Sequence, residues 1–168
     1  NRVHPSYKVI NDYLFMIRDE STITKSFNDE VPTSIKIDDL LSINSDPFGN
    51  ALSDEDTFRD VELSYSTFKG WKYSFTKGEK SLSKPSVVGG VAYFSTFTAA
   101  DESNDNQCSL SGGGGSLYAF HLHYGTKVYD SLKFDVGDNV PDTPQLFFDK
   151  NDDHESQFLL IGVGKGED

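Results

Sequence analysis

Alternating oxygen-bearing side chains near the C-terminal end of the chain form the first candidate for chemistry. Asp149, Asn151 and Asp153 occupy positions one, three and five of a polar run, the spacing at which a loop holds a hard cation such as Ca²⁺. The complete calcium-loop pattern also needs glycine at position six and an acid at position nine or twelve. This chain has histidine, glutamine and leucine there. Two interpretations therefore stay open, a degenerate calcium loop and a solvated acidic turn.

Three further stretches carry residue types that occur in binding sites. Residues 101–105 repeat the one-three-five spacing of oxygen ligands but lack a closing acid. His121 and His123 lie two residues apart in a predicted strand, so they would share a face and could ligate a transition metal with a third ligand, or else be solvent-facing or hydrogen-bonded. Residues 162–166 (GVGKG) have the wrong glycine spacing for a phosphate-binding loop, and no Ser or Thr follows the lysine.

The sequence carries no pattern for covalent or nucleotide-dependent catalysis. It has no G-x-S-x-G nucleophile turn and no dinucleotide fingerprint. With 27 acidic and 15 basic residues the net charge is −12, which disfavours binding to phosphate backbones. No apolar run approaches the ~20 residues that span a bilayer. We therefore predict a non-enzyme with no nucleic-acid partner, no membrane span and no cofactor other than Ca²⁺.

Hydrophobic patterning predicts the strands that must position these groups. Val91–Thr98 is rich in aromatic and β-branched residues, and Ser116–Tyr124 alternates with period two. Trp71–Phe75 alternates aromatic and polar residues, so its rings are predicted to be core. Tyr13–Ile17 is a short apolar strand, and the apolar runs 145–148 and 158–164 flank a polar loop as in a hairpin. The class predicted is all-β, with long polar loops and at most one short helix.

Other stretches carry weaker signals. The segment 35–43 fits a helical turn or a short strand, and 58–68 fits a strand or a short helix. Turn-forming residues predict loops or turns at 45–50, 53–56, 112–115 and 135–139, and a further strand is predicted within 127–134.

The stretch from Gly70 to Gly125 resembles the C-terminal β-propeller of the PilY/PilC family of type IV pilus-biogenesis factors and tip adhesins. The order and spacing of several short pieces carry the resemblance, since none is specific alone. In chain order they are Gly70-Trp71, Gly78-Glu79-Lys80, Ser83-Lys84-Pro85, Gly89-Gly90, Ala92–Thr96, Cys108, the glycines 112–115, and Leu117–Phe120 closing on Gly125.

The resemblance implies a fold, a role and a location. At roughly 40–50 residues a blade, the chain would form about three or four blades, so residues 1–168 are expected to be one segment of a larger C-terminal propeller domain. The implied role is non-catalytic: supporting type IV pilus assembly by opposing retraction, and adhering at the pilus tip to host cells or abiotic surfaces. The implied partners are pilins or minor pilins, and the location is the cell surface of a Gram-negative bacterium, with the periplasm or outer membrane as further sites. Calcium regulates this balance in the family. Cys108 is a free thiol or pairs with a cysteine outside the segment.

Two alternatives come from other classes. A quinoprotein dehydrogenase is also a propeller, but it repeats a tryptophan-docking motif around the barrel, whereas this chain has one tryptophan. An extracellular carbohydrate-binding β-sandwich would instead show two stacked closed sheets.

Overall fold

The computed structural model describes residues 10–19, 33–81, 83–99, 113–150 and 156–161, with the backbone alone at 147–150 and 156–161. Within these ranges the chain is mostly β-sheet, which confirms the all-β class in its coarse form. The strands are β1 (Tyr13–Ile17), β2 (Leu41–Ser42), β3 (Gly70–Ser74), β4 (Glu79–Ser81), β5 (Ser86–Val88), β6 (Val91–Ala99), β7 (Gly113–His121), β8 (Lys133–Gly137), β9 (Gln145–Lys150) and β10 (Ser156–Ile161). The helices are α1 (Pro47–Ala51) and α2 (Glu55–Ser66).

The chain divides into two compact units. The sheet unit comprises Asn1–Asp12, Phe75–Leu122 and Lys127–Asp168, and the helical unit comprises Tyr13–Ser74 and His123–Thr126. The stretch from Gly70 to Gly125 is therefore divided between them: residues 75–122 belong to the sheet unit, and residues 70–74 and 123–125 belong to the helical unit.

The sheet unit contains an antiparallel meander of five strands that fill four positions. Its strand order is β4-β6-β7-β8, and β5 pairs with β6 beyond the end of β4, so β4 and β5 together form one interrupted outer strand. Strand β6 pairs with β7 over nine residues, from Val91 opposite His121 to Ala99 opposite Gly113. Strands β9 and β10 form a separate antiparallel hairpin, as the two apolar runs predicted. No closed sheet occurs among the described strands.

Aromatic rings from neighbouring strands make the core of the sheet unit. Phe94 on β6 lies opposite Tyr118 on β7, and their ring planes are 2° apart with centroids at 5.2 Å. Phe120 stacks on both rings at 5.8 Å, and Phe75 approaches them at an angle. Such pairs add stabilisation beyond the area that they bury. Tyr118 and Phe120 are both buried, and they lie on one face of β7, as the period-two alternation of this stretch predicts.

The observed bounds of β7 and β8 differ from the predicted ones. Strand β7 begins at Gly113, within the predicted glycine loop, and it ends at His121, so residues 122–124 form a turn. Strand β8 begins only at Lys133, and before it Lys127 makes a single bridge to Phe120. The predicted turn at 135–139 is wrong for its first part, because β8 continues to Gly137. Hydrogen bonds from a neighbouring strand override weak local propensity.

The helical unit combines a three-stranded sheet with the two helices. Strand β3 lies between β1, to which it is antiparallel, and β2, to which it is parallel. Trp71 on β3 is buried, as predicted. Gly125 has a φ of +67°, and a Cβ there would lie 2.4 Å from Cδ1 of Ile43 and 3.2 Å from the Trp71 ring. Glycine is therefore required at this position by backbone conformation and by space.

Both helices arise where loops or an undecided element were predicted. Pro47 suits the first turn of α1, and the Asp46 side chain caps it by accepting from the Gly49 amide at 3.1 Å. Asp54 caps α2 by accepting from the Asp56 amide, and acidic residues in the first turn favour the helix dipole. The predicted turn at 45–50 is thus wrong from Pro47 onward, and the predicted loop at 53–56 is wrong from Glu55 onward. Helix α2 is also longer than the one short helix expected.

Candidate functional site

A carboxylate with no exposed surface lies at the centre of the sheet unit. Glu79, at the start of β4, is 0 % exposed. Its Oε1 accepts hydrogen bonds from the Thr96 hydroxyl at 2.7 Å and the Tyr118 hydroxyl at 2.8 Å, and its Oε2 accepts from the Thr76 hydroxyl at 2.7 Å. Nζ of Lys133 forms an ion pair with Oε1 at 3.0 Å. We call these five residues the Glu79 cluster.

The Glu79 cluster joins four parts of the chain that are far apart in sequence. Thr76 belongs to the turn before β4, Thr96 to β6, Tyr118 to β7 and Lys133 to β8. Buried charge is tolerated only when it is paired and hydrogen-bonded, and these four donors meet that condition. The cluster therefore fastens the strands of the meander to one another through a single carboxylate.

The protonation state of Glu79 follows from these contacts. Burial is the largest single influence and raises the pKa, since it disfavours the charged form. The hydrogen bonds from Thr96, Thr76, Lys133 and Tyr118 act in the opposite direction and together hold the pKa of Glu79 below its usual value. Glu79 is thus ionised at neutral pH, and its negative charge is matched by Lys133.

Lys133 connects the Glu79 cluster to the surface. Its side chain is 40 % exposed, and Nζ lies 5.4 Å from the centroid of the Tyr118 ring, a cation–π distance. The same lysine lines an open groove of about 420 Å³. The other lining residues are Thr98, Gly114, Gly115, Ser116 and Asp135.

Three consecutive glycines of β7 shape this part of the sheet. A Cβ on Gly113 would lie 2.2 Å from the Phe97 ring, and one on Gly115 would lie 2.7 Å from the Asn139 carbonyl oxygen. A Cβ on Gly114 would meet nothing within 4 Å. Two of these glycines are therefore demanded by internal packing, while Gly114 leaves the floor of the groove open.

The groove has the chemistry of a polar contact surface. It presents one ammonium, one carboxylate and two hydroxyl-bearing residues beside exposed glycine backbone. The carboxylate of Asp135 also accepts a hydrogen bond from the Gly137 amide at 2.8 Å, which holds it in place. Glu79 itself is sealed from solvent, so its role is to position Lys133 and not to contact a ligand.

The candidate calcium residues are only partly described. Asp149 lies on β9, and its backbone partner on β10 is Gln157. Asn151 and Asp153 lie outside the described residues, so the three-residue site stays a prediction. The second acidic run at 101–105, Cys108 and the glycine-lysine segment 162–166 also lie outside them.

The two histidines do not belong to one regular strand. His121 is the last residue of β7, and His123 lies in the turn that follows. The alternation that would have placed both on one face therefore stops before His123. Among the described residues, no group of three or more His, Cys, Asp or Glu side chains is placed to hold a metal ion.

Sequence reasoning missed the Glu79 cluster. Glu79 was noticed only as part of a short motif, and Lys133 only as part of a predicted strand. A glutamate flanked by glycine and lysine looks like an ordinary exposed turn residue, since glutamate is almost never fully buried unless it is paired. The only available signal was the set of Thr and Tyr residues on strands otherwise made of apolar side chains.

Comparison with known proteins adds no relative: no family model, no curated protein and no solved structure matches the chain. Among the residues described, there is no helix with the length and apolar character that a membrane crossing requires.

Proposed function

We propose that this chain is a non-catalytic segment of a type IV pilus-associated protein, carrying blades of a C-terminal β-propeller like that of the PilY/PilC family. It supports pilus assembly by opposing retraction, and it takes part in adhesion at the pilus tip. Pilins or minor pilins are its partners, and it acts outside the cytoplasm at the cell surface.

The observation that carries this proposal is the antiparallel meander of the sheet unit. A propeller blade is a four-stranded antiparallel sheet, and the five strands here fill four such positions because β4 and β5 pair with successive parts of β6. Three of the short pieces that carry the family resemblance fall on the same sheet, whereas Gly70-Trp71 lies on β3 in the helical unit. Glu79-Lys80 begins β4, Ala92–Thr96 lies in β6, and Leu117–Phe120 lies in β7.

The Glu79 cluster supports a scaffolding role for this sheet. A blade that opposes a mechanical process must keep its strands in register, and one carboxylate here joins four segments of the meander. Three hydrogen bonds and one ion pair occupy both oxygens of the carboxylate, as expected of a residue with a structural role. The open groove beside Lys133 then offers a surface for contact with a protein partner.

Surface pili and adhesion in the source bacterium test the proposal. Removing residues 70–125 in frame from the full-length protein should reduce surface pili, and deleting the retraction motor should restore the pili without restoring adhesion. A matched control is Val87→Ser in the same protein, because Val87 is exposed on β5 and should leave both properties unchanged. Normal piliation and adhesion after the deletion would contradict the proposal.

Calcium regulation at Asp149, Asn151 and Asp153 belongs to the same proposal. Lys150 pairs with Ser156 across the β9–β10 hairpin, so residues 151–155 connect two strand ends that are held together. Calorimetric titration with Ca²⁺ should give heat of binding that is lost in Asp149→Ala and Asp153→Ala. Asp138→Ala, at an exposed position, is the control. Absence of heat in the unaltered protein would remove calcium from the proposal.

The quinoprotein alternative predicts a different result. Added quinone cofactor should then support reduction of a redox dye by the purified protein. Dye reduction above the level of free cofactor would replace the adhesin proposal with an enzymatic one.

A further inference from the structure

An arginine holds the C-terminal end of helix α2. Nη2 of Arg18, which follows β1, donates hydrogen bonds to the carbonyl oxygens of Tyr65 at 3.2 Å and Ser66 at 3.4 Å, and also to that of Phe68. Its guanidinium carbon lies 4.6 Å from the centroid of the Tyr65 ring. These contacts add to the backbone hydrogen bond that the Tyr65 carbonyl accepts from the Phe68 amide, and they fix the guanidinium plane.

One nitrogen of the Arg18 guanidinium takes no part in these hydrogen bonds. Nε of Arg18 is buried and has no hydrogen-bond partner among the described residues. Buried polar atoms are nearly always paired, and each exception calls for an explanation such as an ordered water or a ligand. Arg18 is thus preorganised, and its hydrogen-bonding capacity is not exhausted by the helix end.

The same arginine lines a cavity of about 290 Å³ within the helical unit. The residues that matter for recognition are Arg18, Arg59, Glu62, Tyr65, His123 and Tyr124. Two of the three arginines in a chain of net charge −12 therefore meet at one small cavity. These two arginines concentrate positive charge at one place in an acidic molecule, and the proposed pilus role gives them no function.

The aromatic side of the cavity is also fixed. The Tyr65 hydroxyl donates to the His123 carbonyl oxygen at 3.0 Å, and the Tyr124 hydroxyl donates to Oε1 of Glu62 at 2.7 Å. The hydrogen bond to Glu62 raises the pKa of Tyr124, because it stabilises the protonated hydroxyl. Phe48 packs against Tyr65 and Tyr124 from the interior, with centroids at 5.4 Å and 4.5 Å.

We infer that this cavity binds a sugar acid, that is, a single pyranose ring bearing a carboxylate, such as a hexuronate. The planar fork of Arg59 suits a carboxylate, which it can bind with paired hydrogen bonds, and the fixed positive charge of Arg18 adds to the attraction. Glu62 needs hydrogen-bond donors, which sugar hydroxyls supply and a simple anion does not. The tyrosine rings offer apolar surface for the sugar ring.

The size of the cavity favours one sugar residue over a peptide. Pockets for drug-sized ligands begin at roughly 300 Å³, so a cavity of about 290 Å³ is at the small end of this range. An acidic peptide segment would extend well beyond it. A phosphate dianion would fill it poorly and lacks the ring that the tyrosine side chains can contact. Binding here does not require that the chain belong to a pilus protein, so it can fail or succeed independently of the proposed function.

Nuclear magnetic resonance titration of the intact chain tests this inference. D-glucuronate should produce saturable shifts of the Ser66, His123 and Tyr124 signals. D-glucose, which lacks the carboxylate, should produce none, and acetate should bind about tenfold more weakly because it lacks the ring. Raising the salt concentration should weaken glucuronate binding, since part of the attraction is between exposed charges.

Arg59→Gln is the decisive variant. Arg59 is exposed on α2, and glutamine is a comparable helix former, so the fold should persist. Removing a charge-assisted fork should weaken glucuronate binding about tenfold. Arg59→Lys should give an intermediate loss, because the charge remains without the planar fork. Lys77→Gln removes one exposed positive charge that does not belong to the lining of the cavity, and it should change nothing.

Several results would overturn the inference. The first is the absence of shifts with glucuronate. The second is equal affinity for acetate and glucuronate, which would mean an adventitious anion only. The third is tighter binding of an Asp-Glu dipeptide than of glucuronate, which would assign the cavity to acidic peptides. Unchanged affinity in a folded Arg59→Gln variant would also overturn it.

Discussion

Replacing Lys133 by methionine should destabilise the protein more than replacing Glu79 by glutamine, although both changes break the same ion pair. The asymmetry follows from the burial of the two partners. Glu79 has no exposed surface, whereas the Lys133 side chain is 40 % exposed. A charge left behind in the interior is costly, while one that can reach water is not.

The magnitudes can be worked from the contacts. In Glu79→Gln the amide oxygen can still accept from Thr96 and Tyr118, and Lys133 turns to solvent, so the loss is about 1–2 kcal/mol. In Lys133→Met the carboxylate stays buried with hydroxyl donors alone. Breaking a buried pair in this way costs about 3–5 kcal/mol, and the three hydroxyls that remain place the expected loss at the lower end, about 3 kcal/mol.

Urea unfolding followed by far-ultraviolet circular dichroism measures both free energies of unfolding. The double variant Glu79→Gln/Lys133→Met should be more stable than Lys133→Met alone, because it no longer contains a buried carboxylate without an ion-pair partner. Lys127→Met is the control, since Lys127 is an exposed lysine of the same unit, and it should cost no more than about 0.5 kcal/mol. If Lys133→Met costs no more than Glu79→Gln, the explanation by burial is refuted.

Three further outcomes are expected. The pKa of Glu79 is lower in the folded protein than the usual 4.5 of the unfolded chain. Its contribution to stability is therefore fully present above the unfolded pKa and is lost as the pH falls through the lower folded pKa. In acid-unfolding curves, the stability difference between the unaltered protein and Glu79→Gln should shrink as the pH falls below about 4.5. Gly125→Ala should lower the free energy of unfolding by about 2–4 kcal/mol in the same urea assay, because alanine disfavours the left-handed backbone and its Cβ would clash with Ile43 and Trp71. Gly89→Ala should lower it by only about 1–2 kcal/mol, because Gly89 has φ +57° but open space around it. Burial, together with the hydrogen bond to Tyr129 at 2.7 Å, raises the pKa of Tyr93 to about 12, so ultraviolet titration should show one tyrosine ionising late, and Tyr129→Phe should move that ionisation to lower pH.

Strands with strong side-chain periodicity were predictable from the sequence. Tyr13–Ile17 has the predicted bounds of β1, and Val91–Thr98 falls one residue short of β6. The β9–β10 hairpin was also predicted from two apolar runs and the polar loop between them. In each case the pattern is local, because alternation or an apolar run of strand length is enough to specify the element.

Helices α1 and α2 were not predicted with the same success. Ser45–Asn50 is dense in turn formers, yet Phe48 becomes fully buried against Phe58 and Tyr65 and stabilises a helix there. Turn propensity is a weak preference that such burial overrides.

The order of apolar and polar residues by itself determined that this chain is built from short antiparallel strands with aromatic rings on their buried faces. Only the tertiary structure decided which polar residues are interior. Glu79 and Lys133 are 54 positions apart in the chain, and Arg18 reaches carbonyls 47 to 50 positions away. Nothing local marks such partners, because the free energy of a buried charge depends on donors that only the folded chain brings within hydrogen-bonding distance.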